Sequence, residues 1–123
     1  MKAKGSDRLT KVIYGDYGGR FYFEASGHAV SEELISDHGC DEEESAAVCA
    51  AISILVLAAA EKLGDMQSSG EIYNSSISVE NGYACFDVTP REESEGKLFD
   101  IFDLLMTGFY LLEENYPDLI CCE

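Results

Sequence analysis

The chain has 123 residues, 46% of them hydrophobic, which suffices for one domain with a real core and makes disorder or a disulfide-stapled miniature unnecessary. Eight Lys and Arg against 24 Asp and Glu give a formal net charge of −16. That balance argues against a nucleic-acid ligand, because phosphates are held by basic surface. It suits a basic partner, such as a Lys-rich peptide drawn in by long-range attraction, or serves only to keep a small protein in solution.

Met1 to Lys11 holds four of the eight basic residues but no apolar stretch, so residues 1–8 read as a flexible tail and not as a secretory signal. Arg8 to Tyr14 alternates Leu9, Lys11 and Ile13 against Thr10, Val12 and Tyr14, as a strand with one covered face does. Gly15 to Gly19 turns the chain, and Arg20 to Ser26 alternates again with Phe21, Phe23 and Ala25 on one side. These segments form a first hairpin.

From Gly27 to Glu44 the periodicity disappears and seven acids gather: Glu32, Glu33, Asp37, Asp41, Glu42, Glu43 and Glu44. Residues 29–44 read as a mobile acidic loop, longer than compact domains carry without a functional reason. Ser45 to Leu63 is an apolar helix with Ser45 as a candidate N-cap, and Gly64 is the expected stop. Its small residues Ala46, Ala50, Ala58 and Ala59 allow close packing on a sheet or a second helix. The uninterrupted apolar part, Ala46 to Ala60 with only Ser53 inside it, is shorter than the roughly 20 residues a bilayer requires.

Glu71 to Thr89 is a second hairpin turning at Asn81–Gly82, where both positions favour positive φ. A two-residue loop puts Ile77 and Val79 on one face with Ala84, Phe86 and Val88, so pairing and apolar pattern agree. Glu92 to Asn115 is a second helix, with acids in its first turns and Leu98, Ile101 or Phe102, Leu105, Phe109 and Leu112 at helical spacing. Pro117 stops it, and Leu119 to Cys122 can supply a last strand. The order ββαββα predicts an α+β domain spanning 1–123: two layers, a mostly antiparallel sheet and two helices. Two apolar helices exceed what one sheet face covers, so a homodimer is expected.

The five cysteines, Cys40, Cys49, Cys85, Cys121 and Cys122, are odd in number and end in an adjacent pair. Free thiols in a reducing cytoplasm are the simpler account. A cysteine is a strong nucleophile only as the thiolate, which a nearby imidazole or a helix N-terminus favours. Cys49 lies four residues after Ser45, and His28 follows the first hairpin in Ser26–Gly27–His28–Ala29. Gly27 can turn the chain there and bring the imidazole over the helix start. On the residues alone, a cysteine on an Ala-rich helix is by default a small core residue.

Gly27–His28–Ala29, followed by an irregular loop and Val48–Cys49–Ala50–Ala51–Ile52–Ser53, resembles the signature of the ribosomal-processing cysteine protease family, Prp. The likeness runs from about Leu9 onward, through the opening hairpin, the later strand pair and the closing Asn115–Tyr116–Pro117. It implies an α+β homodimer that removes the N-terminal extension of the twenty-seventh large-subunit ribosomal protein, without metal or cofactor. Carried over by position, Cys49 is the nucleophile, His28 the general base and Ser53 a supporting residue one turn on. Acyl transfer would run through a thioester, with backbone N–H groups near the helix start stabilising the oxyanion.

Two positions depart from the family pattern. Its Asp, three residues before the Cys, is Ala46 here, and Asp41 or Glu44 are the candidates to replace it. The His28–Cys49 loop is also longer. If Asp41 caps the helix, paired with Glu44, then Cys49 sits two turns in, where the dipole fades. Acids beside a thiol oppose its ionisation. A cysteine endopeptidase is therefore weighed against a catalytically silent homodimer that binds a ribosomal or other basic partner. A zinc site from His28, His38, Cys40 and Cys49 lacks the usual ligand spacing.

Overall fold

The computed structural model describes residues 10–27, 42–80 and 82–123. The element order is β1 (Thr10–Asp16), β2 (Phe21–Ser26), α1 (Glu42–Ser68), β3 (Ile72–Glu80), β4 (Tyr83–Pro90), a short 3₁₀ turn (Glu92–Ser94), α2 (Glu95–Asn115) and β5 (Ile120–Cys122). The strands form one sheet in the order β3-β4-β2-β1-β5. All pairs are antiparallel except β1 with β5, which are parallel. The expected two-layer α+β design is therefore present, with the closing segment added as a fifth strand at the sheet edge.

Strand faces follow from the period-two alternation. Phe21, Phe23 and Ala25 of β2 and Ala84, Phe86 and Val88 of β4 are buried beneath the helices. Thr10 and Val12 bring β1 onto the same side. Glu80 pairs with Tyr83 across the second turn, which fixes Ile77 opposite Phe86 and Val79 opposite Ala84. Gly82, at φ 82°, supplies the positive φ of that turn, while Asn81 lies outside the described residues.

Helix α2 buries Leu98, Phe102, Leu105, Met106 and Phe109, a single apolar stripe. Phe102 is its anchor. Its ring stacks on Phe21 and on Tyr14, each at 5.6 Å between centroids, and meets Phe86 edge-on at 6.5 Å. Aromatic pairs of this kind add about 0.5–1.5 kcal/mol beyond the area they bury. Helix α1 buries Val48, Ile52, Val56, Ala59, Leu63 and Met66. Residues 46–68 are long and apolar enough to cross a bilayer by length and composition, but this stripe belongs to the domain core.

Both boundaries of α1 differ from the sequence expectation. Ser45 is the fourth residue of the helix and not its cap, because the helix begins at Glu42. Residues 42–44 thus leave the expected loop and belong to the helix. At the other end Gly64 lies inside the helix, which continues for another turn to Ser68. The real stop is at Gly70, with φ 80°. There Glu71 N–H donates to Met66 O and Gly70 N–H to Gln67 O, the paired bonds of a Schellman motif. Burial of Leu63 and Met66 outweighs the roughly 1 kcal/mol a mid-helix glycine costs.

The small-residue face was also misplaced. Ala46, Ala50 and Ala58 are exposed, and only Ala59 of that group is packed inside. The expected flexible tail 1–8 and the remainder of the acidic loop, 29–41, lie outside the described residues.

Candidate active site

Cys49 is the eighth residue of α1, two full turns beyond its start at 3.6 residues per turn. It faces inward and is 7% exposed. The favourable field of a helix N-terminus falls off within the first turn, so the dipole does little for a thiolate at this depth. His28 and Asp41, the sequence candidates for base and support, both lie outside the described residues.

What is described is the frame on either side of them. Strand β2 ends at Ser26, and Gly27 takes φ 142°, a conformation that residues with a side chain rarely adopt. Its N–H donates to the carbonyl of Gly82 at 3.1 Å, so the point where the chain departs toward His28 is tied to the β3–β4 turn. Ser53, one helical turn after Cys49 and on the same side, is half-buried. Ile52 and Ser53 share a pocket with Ala25, two residues before Gly27. The structure thus brings Ser53 and the end of β2 together around one apolar hollow, with Cys49 a turn away on α1.

That hollow was not legible in the sequence. Its walls come from three separate elements, with Val79 and Ala84 from the second hairpin facing Ile52 and Val56 of the helix. No motif marks such a site, since each residue taken alone is an ordinary member of an alternating strand or a helical stripe.

The remaining thiols sit elsewhere. Cys85 lies on the opposite face of the sheet, opposite Glu24, and Tyr22 and Tyr83 both engage its sulfur. Those contacts, with burial, hold the phenol protons in place: Tyr83 is pushed up to about 12 and Tyr22 is also raised. Burial pushes the Cys122 thiol up to about 12, helped by the Glu113 carboxylate. Glu113 also accepts the Cys122 backbone N–H at 3.1 Å. A thiol held neutral in this way is a poor nucleophile. No disulfide joins the described cysteines. Among the described residues no group of three His, Cys, Asp or Glu side chains is placed to hold a metal ion.

The family model for cysteine protease Prp matches residues 10–121, nearly the whole chain. The crystal structure of SMU.848 from Streptococcus mutans superposes with a TM-score of 0.62 at 20% identity, covering 94% of this chain and 96% of that one. At that identity the likeness speaks for the fold. The comparison with curated proteins gives no match.

Proposed function

Because the chain belongs to the cysteine protease Prp family, we propose that it is a cysteine endopeptidase in which Cys49 attacks the peptide carbonyl and His28 takes the thiol proton. The attack forms a carbon–sulfur bond and a tetrahedral oxyanion. Collapse breaks the carbon–nitrogen bond as the imidazolium returns its proton to the leaving amine. Water, deprotonated by His28, then hydrolyses the thioester and restores the thiol. The carrying observation is the juxtaposition at one end of the sheet: Gly27 turns the chain at the close of β2, while α1 presents Ile52 and Ser53, one turn from Cys49, against that same strand.

The net charge of −16 fits a basic substrate. The family points to the N-terminal extension of a large-subunit ribosomal protein, processed in a reducing cytoplasm. Asp41 immediately precedes α1, and we assign it, with Gly27 and Ser53, a supporting role at the site. Two copies pair through the open apolar side of the helix layer. Ile54, Leu104 and Leu111 there are 67%, 74% and 55% exposed, and a groove runs between Ala50 and Ala51 on α1 and Gly108 and Leu111 on α2.

A second reading has its own support. Cys49 two turns into α1, behind an acidic first turn, is a poor position for a thiolate. A homodimer that binds a basic partner without cutting it would tolerate that placement. The pH dependence of iodoacetamide alkylation at Cys49, mapped by mass spectrometry, separates the two. An activated pair gives a rate that levels off well below pH 8.5 and loses that shift in His28→Ala. A Cys49 that alkylates like an ordinary thiol in both proteins leaves the binding homodimer.

A further inference from the structure

The hollow beside Cys49 has a volume of about 150 Å³. A protein cavity of about that size, walled by aliphatic side chains, admits a benzene ring. One Leu, Met or Phe side chain would therefore fill it, and two would not. Its walls are mainly apolar, from Ile52, Val56 and Ala84, which belong to the core. Leu57 and Val79 also line it, yet they leave 54% and 41% of their surface in water. A half-open apolar hollow bordered by exposed apolar side chains has the form of a side-chain binding pocket.

Charge narrows the occupant. Among the described residues that line the pocket Glu80, exposed at the end of β3, is the one that is charged, and it belongs to a chain of net charge −16. In an extended peptide successive side chains point to opposite sides about 3.3 Å apart. When one residue enters the hollow, its neighbour is directed outward, toward the surface where a carboxylate can attract it. We propose that this pocket receives one large apolar side chain of a basic peptide, and that Glu80 favours Lys or Arg beside that residue. Leu57, Val79 and Glu80 then determine specificity. The pocket begins one turn from Cys49, so the apolar residue lies close to the bond that is cut. This placement rests on Cys49 being the nucleophile; the binding itself does not.

The test uses the full chain carrying Cys49→Ala, which cannot turn over substrate. Fluorescence anisotropy would follow labelled hexapeptides that differ at one position, Leu, Phe, Ala or Asp, each next to a Lys. The Leu and Phe peptides should bind about tenfold or more tightly than the Ala peptide. Val79→Asp and Leu57→Glu, both at exposed positions, should erase that preference while circular dichroism and Tm stay as they were. Glu80→Lys should remove a several-fold advantage of the neighbouring Lys, chiefly at low salt. Equal binding of all four peptides, no binding, or a preference that survives Val79→Asp overturns the pocket. The unmodified chain, incubated with the same peptides, keeps the two readings apart. Apolar preference in binding without cleavage supports the pocket and removes the Cys49 mechanism. Cleavage indifferent to the varied residue keeps Cys49 and overturns the pocket.

Discussion

Gly27 and Gly82, 55 positions apart in the chain, are joined by a hydrogen bond of 3.1 Å from N–H to carbonyl, and both carry positive φ, 142° and 82°. The bond locks the exit of β2 against the β3–β4 turn. His28, proposed as the base, follows that exit directly in sequence, and the last described residue before it is anchored by a bond between two residues without side chains.

Replacing Gly27 with Ala should therefore affect both stability and chemistry. A Cβ in that region of backbone space costs about 1–2 kcal/mol, and the urea midpoint should fall accordingly. The alkylation profile of Cys49 should also shift toward that of an unassisted thiol. A variant as stable as the parent would show that the backbone there relaxes freely.

The Cys122 thiol makes a prediction about alkaline pH. Its pKa rises from 9.0 to about 12 in the fold, first through burial and then through Glu113. Between those values the folded chain keeps a proton that the unfolded chain releases. Its contribution to stability is thus complete below pH 9.0 and is lost as pH climbs toward 12. Urea midpoints should already decline between pH 9 and 10, ahead of ordinary tyrosine ionisation. Cys122→Ala should flatten that decline, and an identical slope in the variant would assign it to other groups. Peptide mapping after iodoacetamide treatment at pH 8 should find Cys122 essentially unmodified.

Pairing of two copies through the helix layer is open to direct test. Ile54→Glu or Leu111→Glu places a charge on an exposed apolar position, where folding itself loses about 0.5 kcal/mol at most. Sedimentation should show a dimer for the parent and a monomer for either variant. A parent that sediments as a monomer, or variants that remain dimeric, would rule out this face.

The sequence was most informative where local chemistry and the apolar pattern point the same way. Asn81–Gly82 demands a two-residue turn, and the register of Ile77 with Phe86 and Val79 with Ala84 follows from it. The boundaries of α1 were less legible because the competing terms are small and of opposite sign. Ser45 and Asp41 both have the chemistry of a cap, and the helix begins at Glu42, one turn before the first of these would place it. Gly64 has the look of a stop, yet Leu63 and Met66 find core on either side of it. This shift moves Cys49 from the first turn to the end of the second, which changes how its reactivity must be explained. Residue types alone could nominate Cys49 and Ser53 for the site. They could not show that Ala25, Val79 and Ala84 would meet beside them, because that convergence depends on three elements distant in sequence.

The last strand bears on how the protein is made. Among the described residues, β5 is what holds β1 on its outer side, through Thr10 opposite Ile120 and Val12 opposite Cys122. Leu119 O and Val12 O accept the flanking N–H groups of Thr10 and Glu123. While the chain is being synthesised, Thr10 to Asp16 leaves the ribosome well before its partner Ile120–Cys122. Throughout that interval one row of β1 peptide groups has no mate within its own chain, and it is available to the same edge of another nascent molecule. A reading frame broken after Asn115 would leave that edge uncovered for the lifetime of the product.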